Sequence, residues 1–321
     1  MKKIRHAIET LLVQFAAWLL PRLSRPAILF LSDGVGALAY SIDYRGRATA
    51  MENLRVAFAA EKITPDQCRR IALGSYQTFA RTFLDLFWSL KLTRENCGEF
   101  IEIRHRTPGT EKTAHERGAL WVTPHFGNFE LVSLAMGFRG FAWTVVAQDF
   151  KNPALTGIFK RLREGSGHTI IPQEGAMLRL VKELKRKGHA ALLTDLTIRP
   201  NKTATAIDCF CLKTCVTTLH ASLSRRLKLP VVAGVCLPLK DGRYRVTSQL
   251  LDPADFRSDA AMAQAVWDTF EAHIRETPEA WLWMYKHWRF LPGLESAHPA
   301  YPAYANPSRP FRDMLEAQQP A

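Results

Sequence analysis

The residues best placed to act together chemically lie in one short stretch, Thr123-Pro124-His125-Phe126-Gly127-Asn128-Phe129-Glu130, where a histidine and a glutamate stand five positions apart. A neutral imidazole can take a proton from a hydroxyl. A carboxylate on its other nitrogen fixes the tautomer and stabilises the imidazolium. The stretch holds no serine or cysteine, so the nucleophile of such a reaction is a hydroxyl on the substrate. Two residue types at one spacing are weak evidence by themselves. An arbitrary His-x4-Glu is more often a helix start with a buried histidine beside it.

The flanking residues give the stretch a place in a fold. Gly118-Ala119-Leu120-Trp121-Val122 is a short, continuous apolar run opened by a glycine, and it reads as a buried strand. Beyond the stretch, Leu131, Val132, Leu134, Ala135 and Phe138 recur at helical spacing. Asn128 suits the N-cap of that helix, which puts Glu130 in its first turn, where a carboxylate is favoured. His125 is therefore expected where a strand hands over to a helix, a common position for catalytic groups in α/β sheets.

The chain has 321 residues, enough for one large domain or two small ones, and 47% are apolar, enough for a sizeable core. Its net charge of +13 calls for an acidic partner: nucleic acid, anionic lipid headgroups or an acidic carrier protein. Basic residues are dense at the N-terminus, at 160–163 and at 182–187, with no zinc-finger spacing, RNA-binding signature or heptad zipper beside them. Nucleic acid is not the expected partner. The cysteines are Cys68, Cys97, Cys209, Cys211, Cys215 and Cys236, and the C-x-C-x3-C cluster fits no structural zinc pattern. They read as free thiols in a reducing compartment, with no metal.

In chain order, Lys2-Lys3-Ile4-Arg5 precedes an apolar segment from Ala7 to Leu20 that Glu9 and Gln14 interrupt. It lacks a small-x-small cleavage site and falls short of the ~20 apolar residues that a spanning helix needs. Ile4, Ile8, Leu11, Leu12, Phe15 and Leu19 share one helical face, with Trp18 at its edge. This is the pattern of a helix lying in a membrane interface. A second apolar stretch, Pro26 to Ile42, can lie beside it. Thr64-Pro65-Asp66 is an N-cap signature for a helix running to Trp88. From residue 96 the pattern changes to alternating strands and helices. Strands are expected at 120–123, 143–147, 168–172, 190–195, 231–237 and 243–250, and helices at 153–164, 175–187, 217–228 and 260–276. The expected fold is α/β, with a largely parallel sheet flanked by helices. It divides into a helical, membrane-interfacial region (1–95), an α/β domain (96–290) and a loosely held tail (291–321). The strand at 190–195 ends on a carboxylate, Asp195.

Several landmarks together resemble the lipid A biosynthesis (lauroyl/myristoyl) acyltransferases, within the lysophospholipid acyltransferase superfamily. His125-x4-Glu130 with Gly127-Asn128 inside it is similar to that family's His-x-Gly-Asn-aromatic-Glu. Asn53-Leu54-Arg55-Val56-Ala57-Phe58 is similar to its Asn-Leu-Arg-x-Ala-Phe segment. Asn152-Pro153 precedes a helix with Arg161 and Arg163, and Pro278-Glu279-Ala280-Trp281-Leu282-Trp283-Met284-Tyr285-Lys286-His287-Trp288-Arg289 resembles its C-terminal signature. The resemblance spans roughly 1–290. It implies acyl transfer, without a cofactor, from acyl carrier protein or coenzyme A to a lipid hydroxyl at the cytoplasmic face of the inner membrane. His125 would be the base and Glu130 would orient it. Backbone N–H groups of Gly127 and Asn128 would serve the oxyanion, and Asn152, Arg161, Arg163 and Asp195 would meet substrate. Arg161 and Arg163 lie two apart, so only one can face the site. The aromatic cluster Trp281, Trp283, Tyr285 and Trp288 reads as core with an interfacial belt. A hydrophobic slot for the acyl chain is expected from the helical first third.

The chain departs from the family pattern where arginines are usual. Gln148 and Gln173 stand at two such positions, and Thr197 replaces the second carboxylate of an Asp-x-Asp. Glutamine cannot reproduce bidentate pairing with a phosphate. These losses leave the acceptor open and keep a second reading in play, a non-catalytic relative that binds lipid or a carrier protein.

Overall fold

The computed structural model describes residues 2–293, 295 and 298–318. Four helices come first: α1 (Lys2–Leu19), α2 (Arg25–Ile42), α3 (Tyr44–Ala57) and α4 (Pro65–Trp88). Strands and helices then alternate: α5 (Cys97–Phe100), β1 (Ile101–His105), α6 (Thr110–Arg117), β2 (Ala119–Thr123), α7 (Phe129–Phe138), β3 (Trp143–Ala147), α8 (Pro153–Glu164), β4 (Thr169–Pro172), α9 (Ala176–Lys185) and β5 (His189–Leu193). A hairpin of β6 (Ala204–Cys209) and β7 (Leu212–Thr217) follows. After it come α10 (Leu219–Leu227), β8 (Val231–Pro238), β9 (Tyr244–Leu251), α11 (Asp259–Glu276) and α12 (Arg309–Gln318). The α4 N-terminus is closed by a capping box between Thr64 and Gln67, as Thr64-Pro65 foretells.

Seven strands form one sheet in the order β1-β9-β8-β2-β5-β3-β4, parallel except where β8 meets β9. Alternation along β2 sends Leu120 and Val122 to one face and Ala119 and Trp121 to the other, so helices cover both sides. The first face packs on α9, α10 and α11, and the second on α1, α7 and α8. The expected α/β class is thus the observed one.

The differences have local causes. β1 is an edge strand with only two apolar residues, too few to register as a run. The β6–β7 hairpin turns through Phe210 and Cys211, at φ 51° and 65°, a left-handed pair that usually announces itself with asparagine or glycine. The chain beyond Leu291, expected to be loose, carries α12 and buries Tyr301, Ala305 and Phe311. Its Pro and Ser content masked these aromatic anchors. The tryptophans of the 281–288 cluster are core residues with no interfacial share: Trp281, Trp283 and Trp288 are at most 1% exposed.

On α1, Ile4, Ile8, Leu11, Leu12, Phe15 and Trp18 are each more than half exposed, and Phe30, Leu38 and Ile42 extend the apolar surface along α2. No described helix is long and apolar enough to cross a membrane.

The N-terminal helices are tied to the sheet by buried polar groups. Asp85 of α4, fully buried, accepts hydrogen bonds from the Arg25 guanidinium, from Asn128 Nδ2 at 2.9 Å and from the Tyr244 hydroxyl at 2.6 Å. Removing one partner of such a group strands the other charge in the interior. Asp85→Ala is expected to lower unfolding free energy by about 3–5 kcal/mol. Denaturant melts would show this, and a loss under about 1 kcal/mol would mean that Arg25 regains solvent.

Candidate active site

The sheet register brings the key pair together. β2 and β5 are parallel neighbours, with Thr123 opposite Leu193. Two residues beyond each strand end stand His125 and Asp195, at the carboxyl edge of the sheet. The Asp195 carboxylate, fully shielded from solvent, takes three donors: His125 Nδ1–H at 2.8 Å, the His125 backbone N–H at 2.9 Å and the Trp281 indole N–H at 2.9 Å. A carboxylate accepts only, so the proton of a neutral imidazole sits on Nδ1. Nε2 has no hydrogen-bond partner among the described residues.

Glu130 is placed differently from the expectation. Its carboxylate pairs bidentately with Arg163 of α8, Nη2 to Oε1 at 2.6 Å and Nε to Oε2 at 3.1 Å. The ring hydrogen bond that orients His125 goes to Asp195, and Glu130 acts on the imidazole only through its charge. The expectation failed because a first-turn glutamate reaches across to α8, whereas the neighbouring strand end delivers Asp195 directly. Asp195 is correspondingly not a substrate contact.

Gly127 and Asn128 do not offer their backbone N–H groups to an oxyanion. Gly127 N–H donates to Ala280 O at 2.7 Å and Asn128 N–H to Cys236 O at 3.1 Å. Gly127 (φ +55°) must be glycine, since a Cβ would fall 1.8 Å from the Cys236 carbonyl oxygen. Asn128 is the N-cap of α7, with Oδ1 accepting from Leu131 N–H. The N–H groups of Phe129 and Glu130, in the first turn of α7, have no acceptor among the described residues.

The remaining expected contacts divide. Asn152 caps α8 and donates its amide to His6 O, Glu9 Oε2 and Thr10 Oγ1, so it is spent on holding α1 and is buried away from substrate. Arg161 points to solvent. Arg163 lines a groove at the ends of β3 and β4 with Lys160, Gln148 and Phe150. Gln173 lies exposed past β4.

Sequence reasoning passed over three groups. The Trp281 indole belonged to a stretch read as packing. Asp85 lies inside the helix running to Trp88, with nothing in its spacing to single it out. The 280–285 segment as a whole forms a rail beside the histidine: Leu282 N–H donates to His125 O at 3.2 Å, and Ser75 and Asn53 hold the Trp281, Trp283 and Tyr285 carbonyls. No spacing in the sequence signals these contacts.

A family model for bacterial lipid A biosynthesis acyltransferases matches residues 1–290, from α1 through the rail. The chain belongs to this family. It is an acyltransferase, and its fold class and family are those that the sequence landmarks imply. No curated protein matches it.

In this acyltransferase the charges at the site are mutually tuned. Burial alone would lower the His125 pKa, but the Asp195 charge and hydrogen bond, helped by Glu130, raise it above 6.5. Burial alone would raise Asp195, but His125 and the Trp281 N–H hold it below 3.8. The His125 contribution to stability is complete below 6.5 and is lost as pH rises through the raised value. The Asp195 contribution is complete above 3.8 and is lost as pH falls through the depressed one. Both are therefore in full force between these two values. In Asp195→Asn, desolvation is left to dominate, and an NMR titration of His125 is expected to give a pKa below that of the wild type. An unchanged value would show that Asp195 does not set it.

Proposed function

We propose that this acyltransferase is membrane-associated and moves a fatty acyl group from a thioester, acyl carrier protein or coenzyme A, to a hydroxyl of a lipid A precursor or related glycolipid. The observation that carries the reading is the His125–Asp195 pair, which locks Nδ1 and leaves Nε2 open to a substrate proton. Nε2 takes the proton as the acceptor oxygen attacks the thioester carbonyl. The tetrahedral intermediate then collapses, and the imidazolium returns the proton to the departing sulfur. Asp195 stabilises the imidazolium, and the free N–H groups of Phe129 and Glu130 at the α7 N-terminus suit the oxyanion. Arg163 neutralises Glu130, so the oxyanion does not form beside an unpaired carboxylate. Lys160 and Arg163 line the groove already paired with Glu164 and Glu130, so they offer an acceptor headgroup hydrogen-bond donors rather than net positive charge.

A small apolar cavity of about 20 Å³, room for a single water, lies beneath α7. Trp121, Thr123, Met136, Val232 and Val246 line it, and Thr123 stands two residues before His125. The exposed apolar face of α1 and α2 supports seating on the cytoplasmic face of the inner membrane. A non-catalytic lipid or carrier-protein binder would have no use for an imidazole fixed by a buried carboxylate.

His125→Ala is expected to lower transfer to membrane lipids by about 10²–10⁴-fold, read by mass spectrometry of the acylated product. Equal product from both proteins would overturn the reading. Since the base must be neutral, activity is expected to fall as pH drops through the raised His125 pKa. The acidic limb of kcat/KM therefore lies above 6.5.

A further inference from the structure

We infer that the exposed face of α9 is the docking surface for an acidic carrier protein that delivers the acyl thioester, an inference that rests on the donor class proposed above. Helix α9 buries Ala176, Leu180 and Leu184 against the sheet and turns Leu178, Arg179, Lys182 and Lys185 outward. Arg186 and Lys187 continue the basic surface, and Glu183 is the only acidic residue from 176 to 187. Among the described residues none of these five cations forms an ion pair, whereas Arg25, Arg163, Arg225 and Arg275 do. Leu178, 79% exposed, and Met177 add an apolar contact at the end of the helix nearest the site. A row of unpaired cations with an exposed aliphatic at one end fits an acidic, partly apolar protein surface.

Position supports the same partner. α9 starts just past β4, whose strand lies two places from β5 and Asp195, about 10 Å at ordinary strand spacing. The helix then runs about 15 Å away from that edge. A carrier lying along it would have its thioester-bearing end at the groove. The alternative occupant, an anionic bilayer, fits less well. α9 packs into the core on one face of the sheet, while Val13, Ala16 and Ala17 of α1 pack on the other. A bilayer covering the apolar side of α1 leaves the face of α9 to a soluble partner.

The test compares the full chain with Arg179→Gln/Lys182→Gln/Lys185→Gln and with the corresponding triple glutamate variant. Binding of acyl carrier protein is measured by surface plasmon resonance, alongside partition to phosphatidylglycerol vesicles and transfer from acyl-pantetheine, a thioester without a protein. Carrier affinity is expected to fall about tenfold for the glutamine variant and further for the glutamate variant, with a shallower dependence on salt. The KM for the carrier should rise while that for acyl-pantetheine does not. Equal carrier affinity in all three proteins, or a loss of vesicle binding that matches the loss of carrier binding, would overturn the docking site. Wild-type transfer from acyl-pantetheine without carrier binding would also overturn it and leave the proposed reaction standing. Absence of transfer from any thioester would remove the reaction itself.

Discussion

The register between β2 and β5 is the constraint on which the site depends. A slip of one residue would turn every side chain of either strand to the opposite face, burying His125 or exposing Asp195. Both strands lie inside the sheet with partners on each side, so the register is held by core packing across both faces rather than by the site itself. Three donors on one shielded carboxylate then convert that register into a fixed imidazole orientation. Each donor alone is modest; together they keep a charge in a place where an unpaired one would be untenable.

Around this pair the chain is woven from both ends. Helix α4 supplies Ser75 to the Trp281 carbonyl, Thr82 to the Gly127 carbonyl and Asp85 to the Asn128 amide. Helix α3 supplies Asn53 to the carbonyls of Trp283 and Tyr285. The loop bearing His125 is thus clamped between an N-terminal helix and a C-terminal rail, neither of which carries a reacting group. Such support accounts for a match that runs the length of 1–290 rather than being confined to the α/β part.

How much of this was legible follows from the physics of each signal. Apolar runs and caps are local, so the strands at 143–147 and 231–238 and the helices at 65–88 and 153–164 could be read within a residue or so. The strand-to-helix corner at His125 was legible for the same reason. Partner choice was not, because a hydrogen bond across 70 residues of chain leaves no periodic trace. Glu130 was close in sequence and Asp195 was close in space. Gly127 shows the same limit: its position at a helix start suggested a free donor, while the carbonyl of Cys236, more than a hundred residues away, fixes both its conformation and its use. The resemblance named the reaction class without showing which carboxylate holds the histidine.

The Asn152 amide has a mechanical consequence. Its three contacts fasten α1 to the first turn of α8, and α8 carries Arg163 on its last turn, at the wall of the groove. The element with the largest bare apolar surface and the wall that faces the reacting groups are therefore fastened to each other. With Val13, Ala16 and Ala17 of the same helix packed on the core, the distance from the outer face of α1 to the groove is fixed by the fold.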